Sequence, residues 1–104
     1  MRYLFIAGAG RSGTSILTEL ISSHPEISLG MERFKRLYNK NVLSKGHFNE
    51  KRFNLFDASE TNIMADSEQY LNYYKLILSK YSESKIVGDK CPHLFKNYDY
   101  LNSI

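Results

Sequence analysis

A single cysteine, Cys91, in 104 residues excludes an internal disulfide framework and any metal site built from several thiolates. It makes a reducing compartment the simpler setting. No apolar run approaches the roughly 18 residues that a membrane-spanning helix requires. The apolar stretch Leu4 to Ala9 follows only Arg2 and runs straight into Arg11-Ser12-Gly13, a poor match to a secretory signal. Charge of one sign is also scarce, with 14 Lys and Arg against 11 Asp and Glu leaving +3. That excess suits a small anionic ligand and is too weak to argue for nucleic acid. Two prolines, six glycines and 42% hydrophobic residues exclude a collagen-like or disordered chain. The expectation is one soluble, cytoplasmic domain over residues 1–104, with neither membrane nor nucleic acid as partner.

What is present alternates between strand and helix signals. Tyr3 to Ala7 is a short apolar run ending in glycine, the pattern of a strand covered on both faces. Ile16, Leu17, Leu20 and Ile21 form one stripe at helical spacing over Thr14 to Ser23, a helix that Pro25 stops. Glu26 to Leu29 reads as a short second strand with Gly30 as a turn. From Glu32 to Arg52 seven cations face two acids, the pattern of a solvated basic surface. A short helix is expected at its start, around Phe34 to Tyr38, and a loop from Asn39 to Asn49. Residues 53–62 show no period.

Tyr70, Tyr73, Tyr74, Ile77 and Tyr81 predict a helix beginning at Asp66, with Asp66 and Gln69 resembling a capping box. These tyrosines are expected in the core. Lys85 to Gly88 reads as a third strand, followed by a polar turn Asp89-Lys90-Cys91. Pro92 opens a last helix carrying Leu94, Phe95, Tyr98 and Leu101. The order implies an α/β fold with parallel pairing.

The informative segment is Gly8-Ala9-Gly10-Arg11-Ser12-Gly13-Thr14-Ser15, between a strand and a helix. Glycines there permit positive φ and close backbone approach, and a helix N-terminus offers N–H groups to a phosphate. Gly8, Gly10 and Gly13 fit the dinucleotide fingerprint, and Glu32 lies 19 residues beyond Gly13, near the place of a ribose-binding acid. An NAD-type domain, however, expects a stronger apolar second strand than Glu26 to Leu29. The segment also nearly fits the Walker loop, except that Thr14 stands at the lysine position while a cation, Arg11, lies within the loop.

Arg11-Ser12-Gly13-Thr14-Ser15 resembles the 5′-phosphosulfate-binding loop of the sulfotransferases that use 3′-phosphoadenosine-5′-phosphosulfate (PAPS). His24-Pro25-Glu26 with Gly30-Met31-Glu32 looks like a second motif of that family, closest to the tyrosylprotein and bacterial-type branches, and Gly88-Asp89-Lys90-Cys91-Pro92 looks like a third. The resemblance implies a P-loop-type three-layer α/β/α fold with a parallel sheet. It also implies that the chain is an amino-terminal portion, lacking the family's 3′-phosphate-binding segment. PAPS would be the sulfuryl donor, no metal would be needed, and a hydroxyl on a glycan, peptide or small molecule would accept.

By the same resemblance Gly10, Arg11, Ser12, Gly13, Thr14 and Ser15 hold the donor, and Arg11, Glu32 and Lys90 carry the chemistry. Arg11 grips the leaving phosphate, Glu32 is the acceptor's general base, and Lys90 neutralises the leaving oxygen. Asp89 is expected to cap the next element or orient Lys90. His24 reads as structural, while His47 and His93 lack the cluster partners of a metal site. Cys91 reads as inert. The alternative function is an adenosine-phosphate-binding fragment without catalysis, or, less favoured, the NAD-type domain.

Overall fold

The computed structural model describes residues 2–8, 13–38, 40, 42–55, 60 and 68–91. The apolar run after Arg2 forms β1 (Arg2–Ile6), followed by α1 (Thr14–Ser22) and β2 (Ile27–Met31). Next come α2 (Lys35–Tyr38), a 3-10 turn over Lys45–Phe48, α3 (Glu50–Phe53) and α4 (Glu68–Lys80). A second 3-10 turn, Tyr81–Glu83, leads into β3 (Ile86–Lys90). The fold is α/β with a parallel sheet in the order β1-β3-β2. The last strand therefore lies between the first two. A dinucleotide-binding domain sets its first two strands side by side, so this order argues against the NAD-type alternative.

Two strands run further than expected. Gly30 lies inside β2 rather than in a turn, paired with Asp89 of β3, and it must be glycine because a Cβ there would come within 2.7 Å of Asp89 Oδ1 and 2.8 Å of Arg33 Cβ. Asp89 and Lys90 belong to β3 rather than to a turn, since Ile6 and Met31 both pair with Lys90. All three strands thus end level with one another. The last helix expected from Pro92 onward, and the cap at Asp66 and Gln69, lie outside the described residues and side chains.

Alternation along β3 divides the sheet's two faces. Val87 and Cys91, with Tyr3 and Phe5 of β1, join an aromatic layer of Phe34, Phe48, Phe53, Tyr74 and Tyr81. Phe34 meets Phe48 edge-on at 5.2 Å between centroids, and Phe53 stacks on Tyr81 at 4.7 Å. Such geometries suit the aromatic quadrupole and add about 0.5–1.5 kcal/mol per pair beyond burial.

The opposite face carries α1, and most of its apolar stripe is not what packs against the sheet. Thr18 and Ser22 are buried, while Ile16 and Leu20 are 74% and 68% exposed. Periodicity finds one apolar stripe without showing which stripe turns inward. Small residues let α1 settle close on β2, and Ser22 Oγ accepts the Leu29 N–H at 3.2 Å.

The basic stretch is solvated at Arg36, Lys40, Lys45 and Lys51, as expected, and Arg33 is the exception. Arg33 is wholly buried: its Nε donates to the Phe53 carbonyl at 2.8 Å, and its guanidinium lies 4.5 Å from the Phe34 ring centroid. Burial holds its pKa below the usual arginine value. Arg52 pairs through two nitrogens with the Glu60 carboxylate. The compensating acid lies outside the stretch, so local charge counting misses it.

Tyr74 of α4 and Tyr81 are in the core, with Tyr73 packed against it, while the side chain of Tyr70 lies outside the described set. Tyr73 and Tyr74 also serve β2. Leu29 and Met31 turn their backbone polar groups away from β3, toward the outer edge of the sheet. The Met31 N–H donates to Tyr74 Oη at 2.9 Å, and the Tyr74 hydroxyl donates to the Met31 carbonyl at 3.2 Å. Tyr73 donates to the Leu29 carbonyl at 2.8 Å. Tyr74→Phe is expected to lower stability by about 1–3 kcal/mol, since it strips hydrogen bonds from buried backbone groups without opening a cavity. Urea unfolding of the two proteins checks this. At the carboxyl end of α1 the cation is Lys80, which donates to the carbonyls of Ser22, His24 and Ile27. His24 is structural, its Nδ1 accepting the Glu26 N–H at 3.1 Å.

Candidate active site

In open α/β sheets, ligands bind beyond the carboxyl ends of the strands. Here those ends bring together residues far apart in sequence. Gly13 caps α1 at that edge with φ +86°, a left-handed conformation that glycine adopts without strain. Lys90, at the end of the central strand, turns toward α1. It is 5% exposed, and its Nζ donates to Ser15 Oγ in the first turn of α1 at 3.1 Å.

Glu32 follows β2 directly. Its N–H donates to the Lys90 carbonyl at 2.6 Å, so two of the sequence-predicted catalytic residues are joined through their backbones. Glu32 has φ +55°, the only positive value of a non-glycine residue among those described. Such a conformation costs about 1–3 kcal/mol and persists only when its surroundings enforce it. The Glu32 carboxylate is partly exposed, with Lys35 Nζ 3.9 Å from Oε1.

The Asp89 side chain points to the face opposite that of Lys90, as strand alternation demands. The segment after Cys91, which Asp89 is expected to cap, lies outside the described residues. The wholly buried Asp89 carboxylate accepts the N–H groups of Arg33 at 2.9 Å and Phe34 at 3.0 Å, and the Tyr38 hydroxyl at 2.8 Å. Burial pushes this carboxyl up to about 6, against the hydrogen bonds that favour its charged form. Burial and the neighbouring Asp89 raise the Tyr38 hydroxyl well above its ordinary value. The strand pattern, read through to residue 90, is the signal that would have assigned Asp89 to this face.

The structure thus gathers Glu32, Lys90, Ser15 and Gly13 at one edge. Thr14 opens α1 there, with its side chain outside the described set. Gly10, Arg11 and Ser12 lie outside the described residues. A model of the sulfotransferase family matches residues 4–104. The chain belongs to the sulfotransferase family. No curated protein and no solved structure matches it.

Membership gives sulfuryl transfer as the general activity of this sulfotransferase-family chain. Among the described residues, no group of three or more His, Cys, Asp and Glu is placed to hold a metal. No helix among them is long and apolar enough to cross a membrane. His47 has a local role: its Nδ1 accepts the Ser44 N–H at 3.0 Å and closes a capping box around the 3-10 turn, where burial and Arg52 lower its pKa. Cys91 is a buried free thiol.

Proposed function

We propose that this chain binds PAPS at the carboxyl edge of its sheet and transfers the sulfuryl group to a hydroxyl of a glycan, peptide or small molecule. The observation that carries the reading is the backbone hydrogen bond from Glu32 to Lys90, beside the first turn of α1. It sets a carboxylate-bearing residue and an ammonium-bearing residue side by side at the mouth where the glycine loop enters its helix.

In this reading the acceptor oxygen attacks sulfur while the bond from sulfur to the 5′-phosphate oxygen breaks in line. Glu32 takes the hydroxyl proton. Lys90 offsets the charge that develops on the leaving oxygen, and adenosine 3′,5′-bisphosphate departs. Arg11, with the amides and hydroxyls of Gly10, Ser12, Gly13, Thr14 and Ser15, holds the 5′-phosphate. Each charge-assisted contact there is worth about 1.5–3 kcal/mol. The single buried thiol supports a reducing, cytoplasmic setting.

Titration calorimetry with adenosine 3′,5′-bisphosphate and with NAD tests the donor assignment. The bisphosphate is expected to bind and NAD not to. Arg11→Ala is expected to weaken bisphosphate binding by about 10–100-fold. Preference for NAD, or indifference to the Arg11 substitution, would overturn the reading.

A further inference from the structure

Three successive amides, those of Glu32, Arg33 and Phe34, are tied to two successive residues of β3. Glu32 N–H reaches the Lys90 carbonyl, Arg33 N–H reaches Asp89 Oδ1, and Phe34 N–H reaches Asp89 Oδ2. We propose that Asp89 is a positioning residue for Glu32: its carboxylate clamps the two amides after Glu32 and so sets the left-handed turn that presents Glu32 beside Lys90. The proposal rests on the base role assigned to Glu32 above.

The physical argument starts from cost. A carboxylate buried under an aromatic layer is expensive, and an apolar side chain at position 89 would fill that space without the penalty. The carboxylate instead faces donors that point at it from one turn. A glycine at position 30 supplies the room, since any Cβ there would meet Asp89 Oδ1. Tyr38 Oη, one helical turn further on, supports Oδ2. A carboxylate offers an acceptor to both amides at once. Asparagine at 89 would present an NH2 group to one of them, and the turn at Glu32 would lose half of its clamp. The alternation of β3 makes this a joint device: Lys90 faces α1 and Ser15, Asp89 faces the aromatic layer, and the Glu32 turn is fastened to both residues.

The test is Asp89→Asn in the full chain, read by amide hydrogen exchange, bisphosphate calorimetry and steady-state transfer from PAPS. The expected result has three parts. Exchange at Arg33 and Phe34 accelerates by about tenfold or more, bisphosphate affinity stays at the wild-type value, and kcat falls by about 10²-fold, as expected for a displaced reacting group. Unchanged exchange at those amides overturns the proposal. So does wild-type kcat despite lost protection, or a loss of bisphosphate affinity in step with the loss of rate.

Should Asp89→Asn not fold, Tyr38→Phe removes one donor to Oδ2. Faster exchange at Phe34 with lower kcat and intact bisphosphate affinity supports the clamp, and wild-type values of both overturn it. A wild-type chain that neither binds bisphosphate nor transfers sulfuryl would sink the functional reading instead. Amide protection alone then decides for or against the clamp on the turn.

Discussion

Glu32→Gln is expected to slow sulfuryl transfer by about 10²–10⁴-fold, the range associated with a positioned proton acceptor. The substitution keeps the length and shape of the side chain and leaves the backbone hydrogen bond to Lys90 in place. Only the capacity to take a proton is lost. The ion pair with Lys35, 3.9 Å away and partly exposed, is worth little and should barely affect stability. Adenosine 3′,5′-bisphosphate should therefore bind Glu32→Gln as it binds wild type, with the loss confined to turnover. Steady-state rates beside calorimetry make the comparison, and a variant that turns over normally would acquit Glu32 of the base role.

The largest structural effect is expected at Gly88. This residue occupies the middle of β3, the central strand, where an added Cβ would lie 1.7 Å from the Leu4 carbonyl oxygen and 3.0 Å from the Leu4 nitrogen. These are backbone atoms of the paired strand, and they cannot move aside without breaking the register that sets Leu4 against Gly88 and Ile6 against Lys90. Gly88→Ala is expected to cost about 4 kcal/mol or more. That is a large share of the roughly 5–15 kcal/mol that holds a domain together. A large drop in the denaturant midpoint is the predicted result. A midpoint equal to that of wild type would mean that the two strands separate at Gly88 more easily than their pairing implies.

Much of this architecture is legible in the sequence because its signals are local. The run Tyr3 to Ala7, the stripe in α1 and the tyrosine period of α4 each mark an element within a few residues of its observed bounds. The glycine loop with Glu32 and Lys90 points to one chemistry, and the strand ends do bring Glu32, Lys90 and Ser15 to one edge. What sequence pattern misses depends on distant partners. The outward stripe of α1 follows from how closely Thr18 and Ser22 let the helix approach the sheet, a tertiary choice. Arg33 is interior because Phe53 and Glu60, from two distant segments, converge on it beside its neighbour Phe34. Asp89 and Gly30 look like turn residues by type. They are strand residues paired with each other, and the glycine leaves the space that the carboxylate fills.

The tyrosine hydroxyls along β2 have a directional effect on assembly. With the outward amide and carbonyl of Met31 and the carbonyl of Leu29 already engaged by Tyr74 and Tyr73, and the Leu29 amide by Ser22, that margin offers no rung to another extended segment. Any additional strand, whether from this polypeptide or another, would have to zip on alongside β1. Growth of the sheet is thereby one-sided.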